Sequence, residues 1–305
     1  MNNITQELLR AVTGVTGALR GAYTIREDGA CAGRQSSEHI AIAAKTDGPG
    51  LVVRVQPGTT GETVFIPACV THGGVDDLVY NDFYIGAGAD VRIVAGCGVH
   101  NEGEEEARHN GIHRFFLDAG AHVLYEEKHL GTGTGAGPRR IDPVTDAVLE
   151  ADAVLEMDTV QLGGVSSTRR RMTALLDDRA RLVVRERLLT DGDETAYTDF
   201  AVTLQGIDAG ADLVSRSVAR GQSHQEFTSR IVGKVRCTGH SECDAILAEQ
   251  GTVSASPSLD ARHVDAELIH EAAIGKIAGE QILKLRTLGL TEEEAEQKII
   301  DGFLQ

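Results

Sequence analysis

The chain has 305 residues, 41% hydrophobic and 25% charged, the balance of an ordinary soluble protein with length enough for a sizeable core. Its formal charge of −17 excludes a nucleic-acid surface, which needs a basic stripe to displace counterions. No segment reaches 18 unbroken apolar residues, and the first 21 residues mix acid and base without a signal-peptide core. The expectation is therefore a cytoplasmic chain without a membrane span.

Aromatic residues make up only 4%, Trp is absent and there are 35 Gly, which suits many tight turns around a narrow β core. Five Cys (Cys31, Cys69, Cys97, Cys237 and Cys243) at irregular spacing do not suggest a disulfide framework.

Taken in chain order, Thr5 to Val12 reads as a short amphipathic helix inside an N-terminal segment, 1–30. Residues 31–262 then read as the β core, with alternating runs such as LVVRV, Leu51 to Val55. From residue 85 a phrase recurs: IGAGADVRI at Ile85, LDAGAHVLY at Leu117, LEADAVLEM at Leu149, LDDRARLVV at Leu176, IDAGADLVS at Ile207 and the weaker LAEQGTVSA at Leu247. Each is an apolar residue, a short turn, a small residue and then strand-type alternation. A loosely fixed period near 30 residues marks a solenoid, whose units bury their apolar faces only by stacking. A left-handed β-helix would need a hexapeptide rhythm that is missing. A β-sandwich would give short strands but no recurring phrase.

The segment 97–129 concentrates Cys97, His100, His109, His113, His122 and His129, with Glu126 and Glu127. Residues i and i+4 of a strand share a face, so His109 and His113 point together. Either Cys97, His100, His109, His113 and His129 form a metal site, the basis of a metal-dependent hydrolase or lyase, or they line a polar face of the coil. The Gly run Lys128 to Gly137 matches no phosphate-loop pattern and reads as a mobile loop.

Near the end, GHSECD brings His240, Glu242 and Cys243 together after Cys237, and LIHEAAIGKI brings His270 and Glu271 to the start of a helical pattern. Thiolate, imidazole and carboxylate are ligands for iron and zinc. Alternatively, Cys243 is a buried core thiol and His270 with Glu271 a helix-start pair. After Asp265, the spacing of Ile274, Ile277, Ile282, Leu285 and Leu288 predicts a helix ending at Gly289. Thr291 and Glu294 form a capping-box signature for a last helix over 292–303. Residues 263–305 thus read as a C-terminal helical cap.

The stretch GHSECDAIL, followed by ASPSLDARHVDAELIHEAAIGKIAGEQILKLRTLGLTEEEAEQKIIDGFL, resembles the SufB/SufD family of iron–sulfur cluster assembly scaffolds, especially its short, minimal-system SufB-like members. The resemblance implies a right-handed parallel β-helix with flanking helices. It implies pairing with a second SufB- or SufD-like subunit or with itself, and docking of a SufC-like ABC-type ATPase on the C-terminal helices through Ile277, Ile282, Leu285, Leu288 and Phe303. The implied role is non-catalytic: a transient 4Fe–4S cluster is built and passed to apo iron–sulfur proteins. Cys243, His270 and Glu271 are the implied cluster- or sulfur-handling residues, with His240, Glu242 and Cys237 in support. The chain lacks the extra N-terminal region of longer members, and no Cys stands near Thr252 or Val253, where they carry one.

Overall fold

A computed structural model describes residues 2–305. Helix α1 spans Asn3–Thr13 and is followed by two hairpins, β1 (Ala22–Glu27) with β2 (Ala30–Gln35) and β3 (Ile40–Ala44) with β4 (Gly50–Val55). The next strands are β5 (Thr60–Val70), β6 (Asp76–Ile85), β7 (Asp90–His100), β8 (Ala107–Leu117) and β9 (His122–Thr132). Two short strands, β10 (Arg139–Ile141) and β11 (Val144–Leu149), share one rung. Then come β12 (Val154–Leu162), β13 (Ser167–Leu176), β14 (Arg181–Thr190), β15 (Thr195–Leu204) and β16 (Ala209–Ala219). The last strands are β17 (His224–Gly233), β18 (Cys237–Leu247), β19 (Thr252–Ala261) and β20 (Ala266–Gly275), followed by α2 (Gly279–Thr287) and α3 (Glu292–Phe303). None of these helices is long and apolar enough to cross a membrane.

From β5 onward, successive rungs alternate between two ten-stranded sheets and pair in parallel with the next rung of their own sheet. The result is a β-solenoid of about eight turns, 58% strand. Parallel pairing removes the sandwich alternative, because sandwich strands are antiparallel. The alternation in each strand is what the architecture needs. In β8, β13 and β15 every second residue is buried, so one face fills the lumen and the other meets water. Phe83 stacks on Phe115 at 4.6 Å between centroids, and Leu, Val, Ile and Ala fill most of the remainder.

The recurring phrase is the turn at the edge of each coil. Gly88, Gly120, Asp152, Arg179 and Asp208 all have φ between +57° and +67°. The Ala that follows each one is fully buried, and its amide donates to the carbonyl three residues back. A larger side chain would not fit the narrow edge, which is why the phrase keeps a small residue there. The fifth turn lies at Gly206–Ala209, so that unit begins at Leu204 rather than Ile207.

Three sequence expectations need correction. The sheet already includes Ala22 and Ile25, both buried, so the N-terminal helical segment stops at Thr13 rather than at residue 30. At the other end, Ala266 to Gly275 forms a strand on β18 and helix begins only at Gly279. His270, Glu271 and Ile274 are thus strand residues; the exposed backbone edge of β18 outcompetes the local helical spacing. The Gly run is also held in place: the amides of Gly135 and Gly137 donate to the carbonyls of Asn101 (3.0 Å) and Gly103 (2.9 Å).

Helix α1 lies on the outer face of the first sheet. A Cβ at Gly96 or Gly98 would come within 2.8 Å of Val12 or Leu8, so the glycines of β7 form the seat for that helix.

Candidate functional site

The last two rungs of the first sheet, β18 and β20, carry the residues singled out near the C-terminus, and strand parity sorts them. In β18, Cys237, Ser241 and Cys243 are buried while His240 and Glu242 face outward. The parallel register sets His270 beside Ser241, Glu271 beside Glu242 and Ala272 beside Cys243. His270 therefore joins the face that carries Cys243, and Glu271 joins His240 and Glu242. The trio Cys243, His270 and Glu271 is divided between the two faces of the sheet.

On the inner face, Cys243 is 1% exposed. Burial pushes its thiol up to about 12, with Glu186 and Asp244 adding repulsion; the resting group is a protonated thiol. Burial likewise raises Cys237. His270 Nδ1 lies 3.1 Å from the Ser241 carbonyl. A carbonyl only accepts, so Nδ1 carries the proton and Nε2 offers its lone pair.

On the outer face, donor atoms of His240, Glu242 and Glu271 all lie within 4.8 Å of one another, the one such group of three or more His, Cys, Asp or Glu among the described residues. His240 Nδ1 donates to Asp212 Oδ1 at 2.9 Å, and its Nε2 lies 3.7 Å from Glu271 Oε2. Burial works against ionisation of Asp212, but His240 and Arg185 hold its carboxyl below the usual range. A cleft of about 440 Å³ opens alongside, lined by Arg185, Asp212, Arg216, His240 and Glu242 among others.

The His-rich segment sits inside the lumen. Cys97, His109, His113 and His129 are all buried around a cavity of about 40 Å³, room for about one or two waters. His100 is half-buried at the end of β7, 3.0 Å from Thr132 Oγ1. His109 and His113 each make hydrogen bonds within the lumen, and among the described residues these side chains form no group of three with ligand atoms within 4.8 Å of one another. His109 Nδ1 meets Asp77 Oδ2 at 3.0 Å, and Arg26 clasps the same carboxylate. Asn81 donates to His113 Nε2 at 3.3 Å, His113 Nδ1 donates to the Tyr125 hydroxyl at 2.7 Å, and Tyr125 donates to Glu127 at 2.8 Å. Burial depresses His113 to about 4, consistent with a neutral ring in this relay.

The row continues beyond the histidines. Arg170 bonds Glu127 at 2.7 Å and reaches Glu186 at 3.4 Å, and Glu186 accepts from Thr198 at 2.9 Å and Ser215 at 2.7 Å. Ser215 is the register partner of Cys243. A file of buried polar groups thus runs from the Cys97 cavity to the position beside Cys243. Tyr125, Arg170, Glu186, Asp77 and Asn81 were not among the sequence candidates. Their signal was parity: Arg170 falls between Thr168 and Met172, and Glu186 between Val184 and Leu188, on the inward phase of their strands.

Residues 81–303 match the family described as SUF system FeS cluster assembly, SufBD core domain. An iron–sulfur cluster assembly SufBD family protein of Methanothermobacter thermautotrophicus is 30% identical over 84% of this chain and 62% of its own length. One of Archaeoglobus fulgidus is 27% identical over 89% of this chain and 72% of its own, and one of Pyrococcus horikoshii 26% identical over 76% and 69%. The chain spans less than two thirds of the length of the Methanothermobacter relative.

Proposed function

The chain belongs to the SufBD family of the SUF iron–sulfur cluster assembly system, and from that premise we propose that it is a non-catalytic scaffold. A cluster is built at the C-terminal end of the solenoid and handed to apo-proteins, with ATP hydrolysis supplied by a partner ABC-type subunit. The observation that carries this reading is that Cys243 and His270, two register positions apart on neighbouring strands, share the inner face of the last rungs, where both sheets stop at β19 and β20. Thiolate suits iron–sulfur chemistry, and an imidazole in the ligand set makes the cluster easier to release than four thiolates would.

One chain brings only Cys243 and His270 to that face, with Cys237 farther along β18, fewer thiolates than the four a cluster usually takes. We therefore assign the remaining ligands to a second SufB- or SufD-like subunit, or a second copy, docked on the open end. The cargo is a transient 4Fe–4S cluster. Because the Cys243 thiol rests protonated, loading iron there releases a proton. The rival reading, a metal-dependent enzyme built on Cys97 to His129, is disfavoured by the commitment of those imidazoles to hydrogen bonds.

Anaerobic reconstitution of the full chain with ferrous iron and sulfide tests the assignment. The parent is expected to develop the brown cluster chromophore, Cys243→Ser to lose most of it and Cys237→Ser to keep it. Full colour in Cys243→Ser would remove Cys243 from the site.

A further inference from the structure

We infer that His240, Glu242 and Glu271 form a separate, thiol-free site on the outer face of the solenoid for a divalent first-row transition ion of the ferrous type. Two observations beyond proximity point to a cation. The first is that Glu242 and Glu271 stand directly side by side in register on neighbouring strands, and like charges so placed destabilise a sheet. Arg216 is 4.0 Å from Glu242, and Arg185 is engaged by Asp212. A bound cation would remove the repulsion.

The second is the orientation of His240. Its Nδ1–H is held by the Asp212 carboxylate at 2.9 Å, and Arg185 in turn holds Asp212 at 2.8 Å. A carboxylate on one ring nitrogen is the usual partner of a metal-bound histidine, because it fixes the tautomer and makes the other nitrogen more basic. That other nitrogen, Nε2, faces Glu271. Donors around an ion at about 2.0–2.2 Å stand roughly 3–4 Å apart, so small side-chain rotations close the present 4.8 Å group. One imidazole and two carboxylates, open to the cleft, favour a borderline transition ion over calcium or magnesium, which prefer oxygen alone.

The site is on the opposite face of the sheet from Cys243, so iron and thiol chemistry are separated by one sheet thickness. That the ion is iron awaiting incorporation rests on the assembly reading above; the ion site itself does not.

The test is anaerobic titration of the full chain with cobalt(II) as a spectroscopic probe, followed by ferrous iron in equilibrium dialysis. One ion per chain is expected, without a sulfur-to-cobalt charge-transfer band. Glu242→Gln and Glu271→Gln, both nearly isosteric, should each weaken binding at least tenfold, and Asp212→Asn by roughly 10–100-fold. Arg216→Gln should tighten it, and Cys243→Ser should leave it unchanged. The inference is overturned if no stoichiometric binding occurs, if both Gln variants bind like the parent, or if a charge-transfer band appears and Cys243→Ser abolishes it. Tight binding by a chain that builds no cluster would sink the assembly reading and leave this site standing; normal cluster building with unaltered iron uptake in both Gln variants would do the reverse.

Discussion

His113 illustrates how a single buried group ties stability to pH. It sits neutral among Asn81, Tyr125 and Phe83, its pKa depressed by burial from 6.5 to about 4. As pH falls, the unfolded chain takes up the proton first. The contribution is therefore complete above about pH 6.5 and lost progressively towards pH 4, on the order of 3 kcal/mol in all. Urea unfolding followed between those limits should show the midpoint falling in the parent, with a shallower slope in His113→Gln; equal slopes would clear His113. Glu127 behaves differently. Burial opposes its ionisation, but His129 and Arg170 overcome that and hold its carboxyl well below the usual range. Its contribution is lost only below about pH 4, where the unfolded carboxyl titrates, so the two windows separate. The candidate histidines were readable in the sequence, but their role was not. Whether His109 and His113 meet a metal or a Tyr–Glu relay depends on Tyr125 and Asp77, which reach them from other rungs.

Among elements, the C-terminal helices differ in how they are held. Helix α3 has its capping box, Thr291 with Glu294, and buries Ala295 and Ile300. Helix α2 buries none of its side chains. Of the residues expected to dock a partner, Ile277, Ile282, Leu285 and Phe303 are half-buried, while Leu288 is 73% exposed; Leu283, not among them, is 61% exposed. If this surface binds the ATPase, Leu283→Asp with Leu288→Asp should cut its capture by the full chain at least tenfold while leaving the melting temperature unchanged. Undiminished capture would place the ATPase elsewhere. Thr291 and Glu294 made α3 legible because a cap is a local device. The apolar spacing after Asp265 misled because strand or helix there was decided by β18, the neighbour that β20 pairs with, not by propensity.

At the scale of the whole molecule, the two ends of the solenoid are unlike. The N-terminal end is finished by antiparallel hairpins, whereas the C-terminal end stops at β19 and β20. There Leu259 and Ile274, register partners of the buried Ile231 and Ala245, remain 38% and 40% exposed. Pro257 removes one backbone donor from β19, a common way to blunt an edge, and β20 has no such device. Pairing of two chains is therefore expected through β20. Sedimentation should show Leu259→Lys with Ile274→Lys shifted towards monomer relative to the parent; an unchanged distribution would exclude this end.

The sequence by itself determined the coil: its period, its turn residues and its inward and outward phases are local properties, repeated often enough to be read without a partner strand. It also named Cys243, His270, Glu271, His240 and Glu242. Only the tertiary structure decided which of them meet. Register between β18 and β20 is a non-local quantity, and because side chains alternate with a period of two, one residue of offset separates the thiol face of Cys243 and His270 from the carboxylate face of His240, Glu242 and Glu271.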